Sequence, residues 1–253
     1  MLIKTKLPEF KGKPLIEIPE NIPAIGFMEG DFGEAVLEEY KGRVEKDYNN
    51  LDSLDVLSYE HGNPVRYEEG IVKGSNPFSV VLVNQIVGQE GLRVARQSDL
   101  EKALKLDSLN LKGTYEDTAL VLRKGKEPNS YLAKDLLKQI GKTKLPVMIP
   151  LSSLELRKDS DSPYALSFNL IGDFVYAPIL GEETGNFNSD DLNQGTGLPS
   201  KLSNEGDRII YTRNSGLSRL GLDRDSYLDS DDGHFAYSDD FGRVVVVSDH
   251  SVK

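Results

Sequence analysis

The chain has 253 residues, 38% of them hydrophobic, no cysteine and a formal charge of −11. The length suits one large domain or two small ones, and the missing cysteine excludes a disulfide framework, a thiolate metal site and a cysteine nucleophile. No run approaches the ~20 apolar residues of a spanning helix, and no basic block gives a nucleic acid its electrostatic footprint, so neither membrane insertion nor nucleic-acid binding is expected. The opening M-L-I-K-T-K-L-P lacks the apolar core of a signal peptide, which predicts a cytoplasmic or virion-associated protein unless another route exports it.

Residues 1–30 carry Pro8, Pro14, Pro19 and Pro23, the composition of an extended arm, with a short strand predicted at Leu15–Ile18. Asp31 and Glu34 have capping-box spacing, and Val36, Leu37, Tyr40, Val44 and Tyr48 recur at helical spacing. Together they predict a packing helix over Phe32–Asn50. This arm and helix, residues 1–65, are expected to pack onto a main domain of 66–253. His61-Gly62-Asn63-Pro64 reads as a turn, in which a lone His is an exposed turn residue rather than a base, followed by a short strand near Val65–Tyr67.

Asn76 caps the next predicted helix and Pro77 takes its first position, where a missing N–H costs nothing. Phe78, Val81, Leu82 and Ile86 form its buried stripe, and Gly88 and Gly91 end it. Ser98 and Glu101 have the spacing of a second capping box, which makes capping the expected task of Glu101. Asp117–Arg123 reads as a buried strand. A helix follows from Pro128-Asn129-Ser130, with Leu132, Leu136, Leu137 and Ile140 on its apolar face and Gly141 at its end. Gly141-Lys142-Thr143 is no phosphate loop, because Leu136 stands where the first Gly is needed.

From Leu145 the pattern changes to strands: Val147–Ile149, Leu154–Leu156, Tyr164–Leu170 and Phe174–Ile179. Turn chemistry at Asp159-Ser160-Asp161-Ser162-Pro163 and Gly172-Asp173 separates them. Gly181–Gly206 is polar and aperiodic, a long ordered loop or insertion. Gly195 and Gly197 make no dinucleotide fingerprint, since neither a close preceding strand nor a third Gly accompanies them.

The C-terminal segment has a different vocabulary. From Gly206 to Val252 there is no Lys, Glu, Gln, Met or Trp, although Lys and Glu are common in soluble domains and frequent earlier in this chain. Asp, Ser, Tyr, Gly, His, Phe and Arg fill it instead. One mechanism yields that alphabet: Asn codons whose adenines are randomised while the third base stays C or T. Two framing elements flank the segment. Arg208–Thr212 alternates as a strand ahead of Asn214-Ser215-Gly216-Leu217-Ser218, and Gly242-Arg243-Val244-Val245 closes it.

On these residues the chain resembles the variable proteins of diversity-generating retroelements, which carry such a segment near the C-terminus of a C-type lectin fold of the formylglycine-generating-enzyme subtype. Asn214–Ser218 is similar to that family's R-G-G-S-W element, and Gly242–Val245 to its closing G-F-R-V strand. Gly91–Ala103 is similar to its G-x-x-Y-R-L-P-T-E-A-E-W-E-x-A signature, with Arg93 for the Arg, Ser98 for the capping Thr or its neighbour, Leu100 for the Trp, and Glu101 and Ala103 for the last Glu and Ala. The Pro and both aromatics are missing. The resemblance covers most of residues 70–250, with a variable region over about 214–247. It implies an α/β (α+β) C-type lectin fold with few long regular elements and extensive loops. The absence of Trp and Cys brings the chain nearer the archaeal variable proteins than the bacterial or phage ones. The cysteine chemistry of the enzyme that names the subtype is out of reach.

Within the segment, Leu217, Leu220, Leu222, Leu228, Phe235 and Ala236 are spaced to pin it to a core, and Ser215, Ser218, Ser230 and Ser238 look fixed and small. The remainder is the expected contact surface: Gly221, Asp223, Arg224, Asp225, Ser226, Tyr227, Asp229, Asp231, Asp232, Gly233, His234, Tyr237, Asp239, Asp240 and Phe241. Tyr supplies area at low entropy cost, and small polar side chains adapt. The expected partner is a macromolecule, a protein or cell-surface component with a basic or amide-rich patch, held by binding that salt weakens. An alternative is a non-diversified acidic module that binds calcium or carbohydrate, because Asp229-x-Asp231-x-Gly233 echoes part of a calcium loop; the bidentate Glu and the helical flanks of such a loop are missing. No cofactor or metal is expected. No hydrolase motif occurs, and although His234 could pair with Asp232 or Asp240, His is among the products of the randomised codons, so no catalysis is expected.

Overall fold

The computed structural model describes residues 9–15, 25–58, 65–125, 127–238 and 240–248. The described residues form five α-helices: α1 (Gly30–Asp47), α2 (Leu51–Leu57), α3 (Pro77–Val87), α4 (Gln97–Leu106) and α5 (Ser130–Ile140). The strands, in order, are β1 (Glu9–Phe10), β2 (Lys13–Pro14), β3 (Ile25–Phe27), β4 (Arg66–Glu68), β5 (Ile71–Lys73), β6 (Leu92–Val94), β7 (Glu116–Leu122) and β8 (Val147–Pro150). They continue with β9 (Leu154–Lys158), β10 (Leu166–Leu170), β11 (Val175–Tyr176), β12 (Gly185–Phe187), β13 (Arg208–Tyr211), β14 (Leu217–Leu222), β15 (Leu228–Asp229) and β16 (Val245–Ser248). The fold is mixed α/β.

A seven-stranded sheet runs β11-β8-β7-β14-β15-β13-β12, antiparallel throughout except for the parallel β13–β15 pair. Its central strands β7 and β14 are buried along their whole length, polar Glu116, Asp117, Thr118, Ser218 and Arg219 included. They divide the interior. Leu120, Leu122 and Leu217 face one apolar cluster, which also holds Phe32, Val36 and Tyr40 of α1 and the stripe of α3. Ala119, Val121, Leu220 and Leu222 face the other, with Leu100 and Ala103 of α4. The C-terminal strand β16 lies between β3 and β6 in a three-stranded sheet, sending Val246 to the first cluster and Val245 and Val247 to the second.

The helices follow the sequence pattern, with shifted ends. α1 begins at Gly30 with Glu29 as N-cap and no side-chain cap; Asp31 sits in its first turn, so the expected Asp31–Glu34 box does not form. The helix stops at Asp47. Asn50 then caps the unanticipated short α2, its side chain accepting from Asp52 N–H at 2.9 Å. In α3, Asn76 accepts from Ser79 N–H at 2.8 Å, and the Ser79 hydroxyl accepts from Asn76 N–H at 3.0 Å. Gly91 is left-handed, with φ 73°, the conformation glycine adopts without steric cost. In α4 the reciprocal acid is Asp99, which accepts from Arg96 N–H at 2.8 Å; Ser98 and Glu101 do not cap. Between 181 and 206 the expected loop carries β12, and Asn186 pairs with Ser203. The expected strand at Leu15–Ile18 and the turn at His61–Pro64 fall largely outside the described residues, with β1 and β2 pairing just before the former.

Candidate functional site

Two buried arginines organise the C-terminal segment. Arg123, 1% exposed, leaves the end of β7 and donates to Leu180 O at 2.6 Å, Ser218 Oγ at 2.7 Å, Ser230 O at 2.9 Å and Ser230 Oγ at 2.8 Å. Burial, reinforced by Arg213, lowers its pKa. Every hydrogen-bond acceptor is neutral, and a serine at 218 and at 230 is small enough to leave the guanidinium its place. Ser218 Oγ also donates to Ser230 O at 2.6 Å, which ties β14 to the residue after β15.

Arg219 is the second hub. It extends from β14 toward Asp117 at 3.7 Å, ion-pairs with Asp232, donates to Tyr237 O at 3.1 Å and lies over the Tyr115 ring at 4.9 Å. Burial opposes its charge, but Asp117, Tyr115 and Asp232 outweigh that and hold its pKa above the ordinary value. Asp117 itself is pushed up by burial despite Arg219, the Tyr115 hydroxyl at 2.6 Å and the Ser75 hydroxyl at 2.8 Å. Asp232 moves the other way: burial raises it, but Arg219 and the bonds from His234 win and lower its pKa.

The remaining ties are backbone bonds. Asn129 Nδ2 donates to Leu217 O and Gly233 O, both at 2.9 Å. Tyr115 N–H donates to Phe241 O at 3.0 Å, and Arg243 N–H returns to Tyr115 O at 2.8 Å. The Ser238 hydroxyl accepts from Ser75 N–H at 2.7 Å, and the Ser215 hydroxyl donates to Glu127 O at 3.0 Å. Phe235 is fully buried, edge-on to Phe78 at 6.2 Å. All four serines singled out in the sequence thus bond to the frame.

The expected contact residues divide. Arg224, Asp225, Asp231, His234, Tyr237, Asp240 and Phe241 are exposed; Asp223, Ser226 and Tyr227 are half-buried in the turn closed by Asp223 N–H to Tyr227 O at 2.9 Å. Arg224 lies over the Phe241 ring at 4.4 Å, joining the two edges of the surface, and Arg66 ion-pairs with Asp240. Tyr227 meets Tyr211, which the sequence reading left out of the surface, edge-on at 6.1 Å. Asp239 lies outside the described residues.

Four members face inward or are held. Gly221 is buried within β14, where a Cβ would lie 2.9 Å from Glu116 O and from the Tyr115 ring, so it is a packing position and not a contact. Gly233 is half-buried and sits against Pro128, 2.6 Å from where its Cβ would be. Asp232 belongs to the Arg219 hub. Asp229, half-buried at the end of β15, accepts from Asp231 N–H at 3.1 Å and has its pKa pushed up to about 7 by burial. Among the described residues no group of three His or acidic side chains could hold a metal ion, and no helix is long and apolar enough to cross a membrane.

Exposed Arg, Asp, His, Tyr and Phe side chains thus form a rim on a hydrogen-bonded frame. No family model, curated protein or solved structure matches the chain. Tyr237 is 57% and Phe241 44% exposed, beside acids and one histidine. His234 Nδ1 is 3.0 Å from Asp232 Oδ1, but Asp232 is already committed to Arg219 and the imidazole stands in open solvent.

Proposed function

We propose that the protein is a ligand-binding, receptor-like scaffold whose C-terminal segment, about 214–247, is diversified by a retroelement to recognise variable macromolecular targets, on a C-type lectin fold of the formylglycine-generating-enzyme subtype related to archaeal variable proteins. It binds and does not catalyse. The observation that carries this reading is the sorting of side chains. Leu217, Ser218, Leu220, Leu222, Leu228, Ser230 and Phe235 are fully buried, whereas Arg224, Asp225, Asp231, His234, Tyr237, Asp240 and Phe241 face solvent. A segment under random exchange needs this separation: its outward positions can change without loss of packing, and its inward ones cannot. Gly221, Asp229 and Asp232 fall on the inward side and act as frame.

The test is genomic. Beside the gene there should be a near-copy of the codons for about Asn214–Val247, with adenines at the outward positions and the same bases at the inward ones, next to a reverse transcriptase gene. A locus without either element sinks the proposal.

A further inference from the structure

We propose that the open edge of the seven-stranded sheet, at β11, joins two copies of this chain edge to edge across a two-fold axis. The sheet ends on β11 and β12. The β12 end is closed, because Asn186 N–H donates to Ser203 O at 3.0 Å and Ser203 N–H returns to Asn186 O at 2.9 Å. The β11 end has no such cover among the described residues. Val175 pairs with Met148 and Tyr176 with Val147 on β8, and Ala177 N–H donates to Pro146 O at 3.0 Å. Antiparallel pairs alternate between hydrogen-bonded and non-hydrogen-bonded positions. The Ala177 bond makes Tyr176 a non-hydrogen-bonded position, so its N–H and C=O turn away from β8 toward the free edge. The two-residue repeat of an extended chain gives Phe174 the same direction. Val175 is 37%, Tyr176 49% and Ile171, on the turn before the strand, 56% exposed. An edge with unpaired main-chain groups and apolar side chains is a template for another strand.

The edge is complementary to itself. With the axis at Val175, Phe174 and Tyr176 of each copy exchange main-chain bonds with Tyr176 and Phe174 of the other, and the two Val175 residues stand opposite each other. Cross-strand partners share a face of the sheet. Tyr176 therefore lies on the face of Val147, which belongs to the first apolar cluster, and Phe174 already packs against that cluster. Two Phe174–Tyr176 pairs across the junction continue the cluster from one copy to the next. The end charges agree with this arrangement. Asp173 precedes the strand and Lys144 stands beside its other end, ahead of Pro146; both are exposed, with no ion-pair partner among the described residues. Two-fold pairing turns Asp173 of each copy toward Lys144 of the other. Glu182 and Glu183 are carried away from the edge, since Thr212 at the end of β13 donates through its hydroxyl to Glu182 O and through its N–H to Thr184 Oγ1 at 3.2 Å. A foreign strand would meet the same main-chain groups without these reciprocal aromatic and charge contacts, so a second copy fits better. The junction lies outside residues 214–247 and stands whether or not that segment is diversified. Under the proposed function it gives one particle two rims, which raises avidity for a repeated target.

Sedimentation velocity of the full chain at about 100 µM, where an association of micromolar strength is largely complete, should give twice the chain mass of 28.0 kDa. Val175→Lys sets two like charges together on the axis and should return the mass of one chain. Its midpoint of thermal unfolding should hold, since the side chain stands on an exposed edge. The chain has no cysteine, so a single introduced thiol reports the axis directly. Opposed residues of a non-hydrogen-bonded antiparallel pair have Cα atoms about 4.5 Å apart, within the roughly 4.4–6.8 Å that a disulfide spans. Under mild oxidation Val175→Cys should therefore form a covalent dimer at least about tenfold faster than Lys46→Cys on the exposed face of α1. A single-chain mass for the unaltered protein, a Val175→Lys variant that still dimerises, or equal cross-linking from positions 175 and 46 overturns the proposal. None of these results bears on the genomic test above.

Discussion

Arg123 shows how much one side chain can hold. Its guanidinium joins the loop at Leu180, β14 at Ser218 and the chain beyond β15 at Ser230. Arg123→Leu would strip these acceptors of their donor in a space closed to water, and each orphaned group costs about 1–3 kcal/mol. Urea unfolding should show a loss of roughly 3 kcal/mol or more, with Ser230→Ala costing less because its carbonyl still accepts. A loss below about 1 kcal/mol would show that the hub is dispensable. Glu116 presents the opposite case. It is 2% exposed, and neither carboxylate oxygen has a hydrogen-bond partner, since the neighbouring Thr114 hydroxyl donates to Leu111 O at 3.0 Å instead. Burial pushes its pKa up to about 8. Between the ordinary value of 4.5 and about 8 the folded chain keeps a proton that the unfolded chain has released. Stability from this group is therefore complete below the ordinary value and falls as pH rises, by about 1.4 kcal/mol per pH unit across the window. Glu116→Gln should flatten that slope. Unfolding free energies measured from pH 5 to 8 that fall equally in both proteins would rule the assignment out.

At the scale of elements, the strands and helices with strong patterns were legible and the short ones were not. The Asn76–Pro77 start, the apolar 119–122 end of β7 and the α5 stripe each carry several agreeing signals. α2 has seven residues, too few for periodicity to mark, and its start depends on one Asn50 cap bond. Glu101 had the spacing of a cap but serves as the partner of Arg208, 107 residues away, a contact that no local pattern encodes. Its exchange is informative. Glu101→Gln leaves Arg208 buried without its counter-charge and should cost about 3–5 kcal/mol, whereas Glu101→Leu combined with Arg208→Met should cost less than the single change. Denaturant unfolding of the three proteins decides it, and a double variant weaker than the single one defeats the argument. The candidate surface was legible as a stretch but not residue by residue, because β14 runs through it. The segment holds both a glycine packed on Tyr115 at 221 and an exposed carboxylate at 225. Gly221→Ala should therefore cost more than 1 kcal/mol, its Cβ meeting Glu116 O at 2.9 Å, while Asp225→Ala and Tyr237→Ala should stay within about 0.5 kcal/mol. Equal costs at all three would erase the distinction between frame and rim.

For the whole molecule, the question is whether the rim can change while the body does not. β14 fixes the entry of the segment at the centre of the large sheet, and β16 fixes its exit between β3 and β6. The excursion between them hangs on Arg219, Asn129, Tyr115 and Phe235, of which only Arg219 and Phe235 belong to the segment. A set of chains in which positions 224, 225, 231, 234, 237 and 240 are redrawn from Asp, Ser, Tyr, Gly, His, Phe and Arg should keep the midpoint of thermal unfolding within a few degrees, because these side chains contribute little to either apolar cluster. The same chains, displayed against a common panel of macromolecules, should bind different members of it. The acidic form described here should prefer basic partners and lose affinity as salt rises toward a Debye length of about 8 Å, whereas redrawn forms with fewer acids should lose less. If binding partners are unchanged across the set, the rim does not select them. If the unfolding midpoints scatter as widely as those of variants at Ser218 or Phe235, the rim is structural. Either result would remove the physical basis for diversification in this segment, since a position that cannot vary without unfolding the chain, or that varies without changing what is bound, has nothing to gain from exchange.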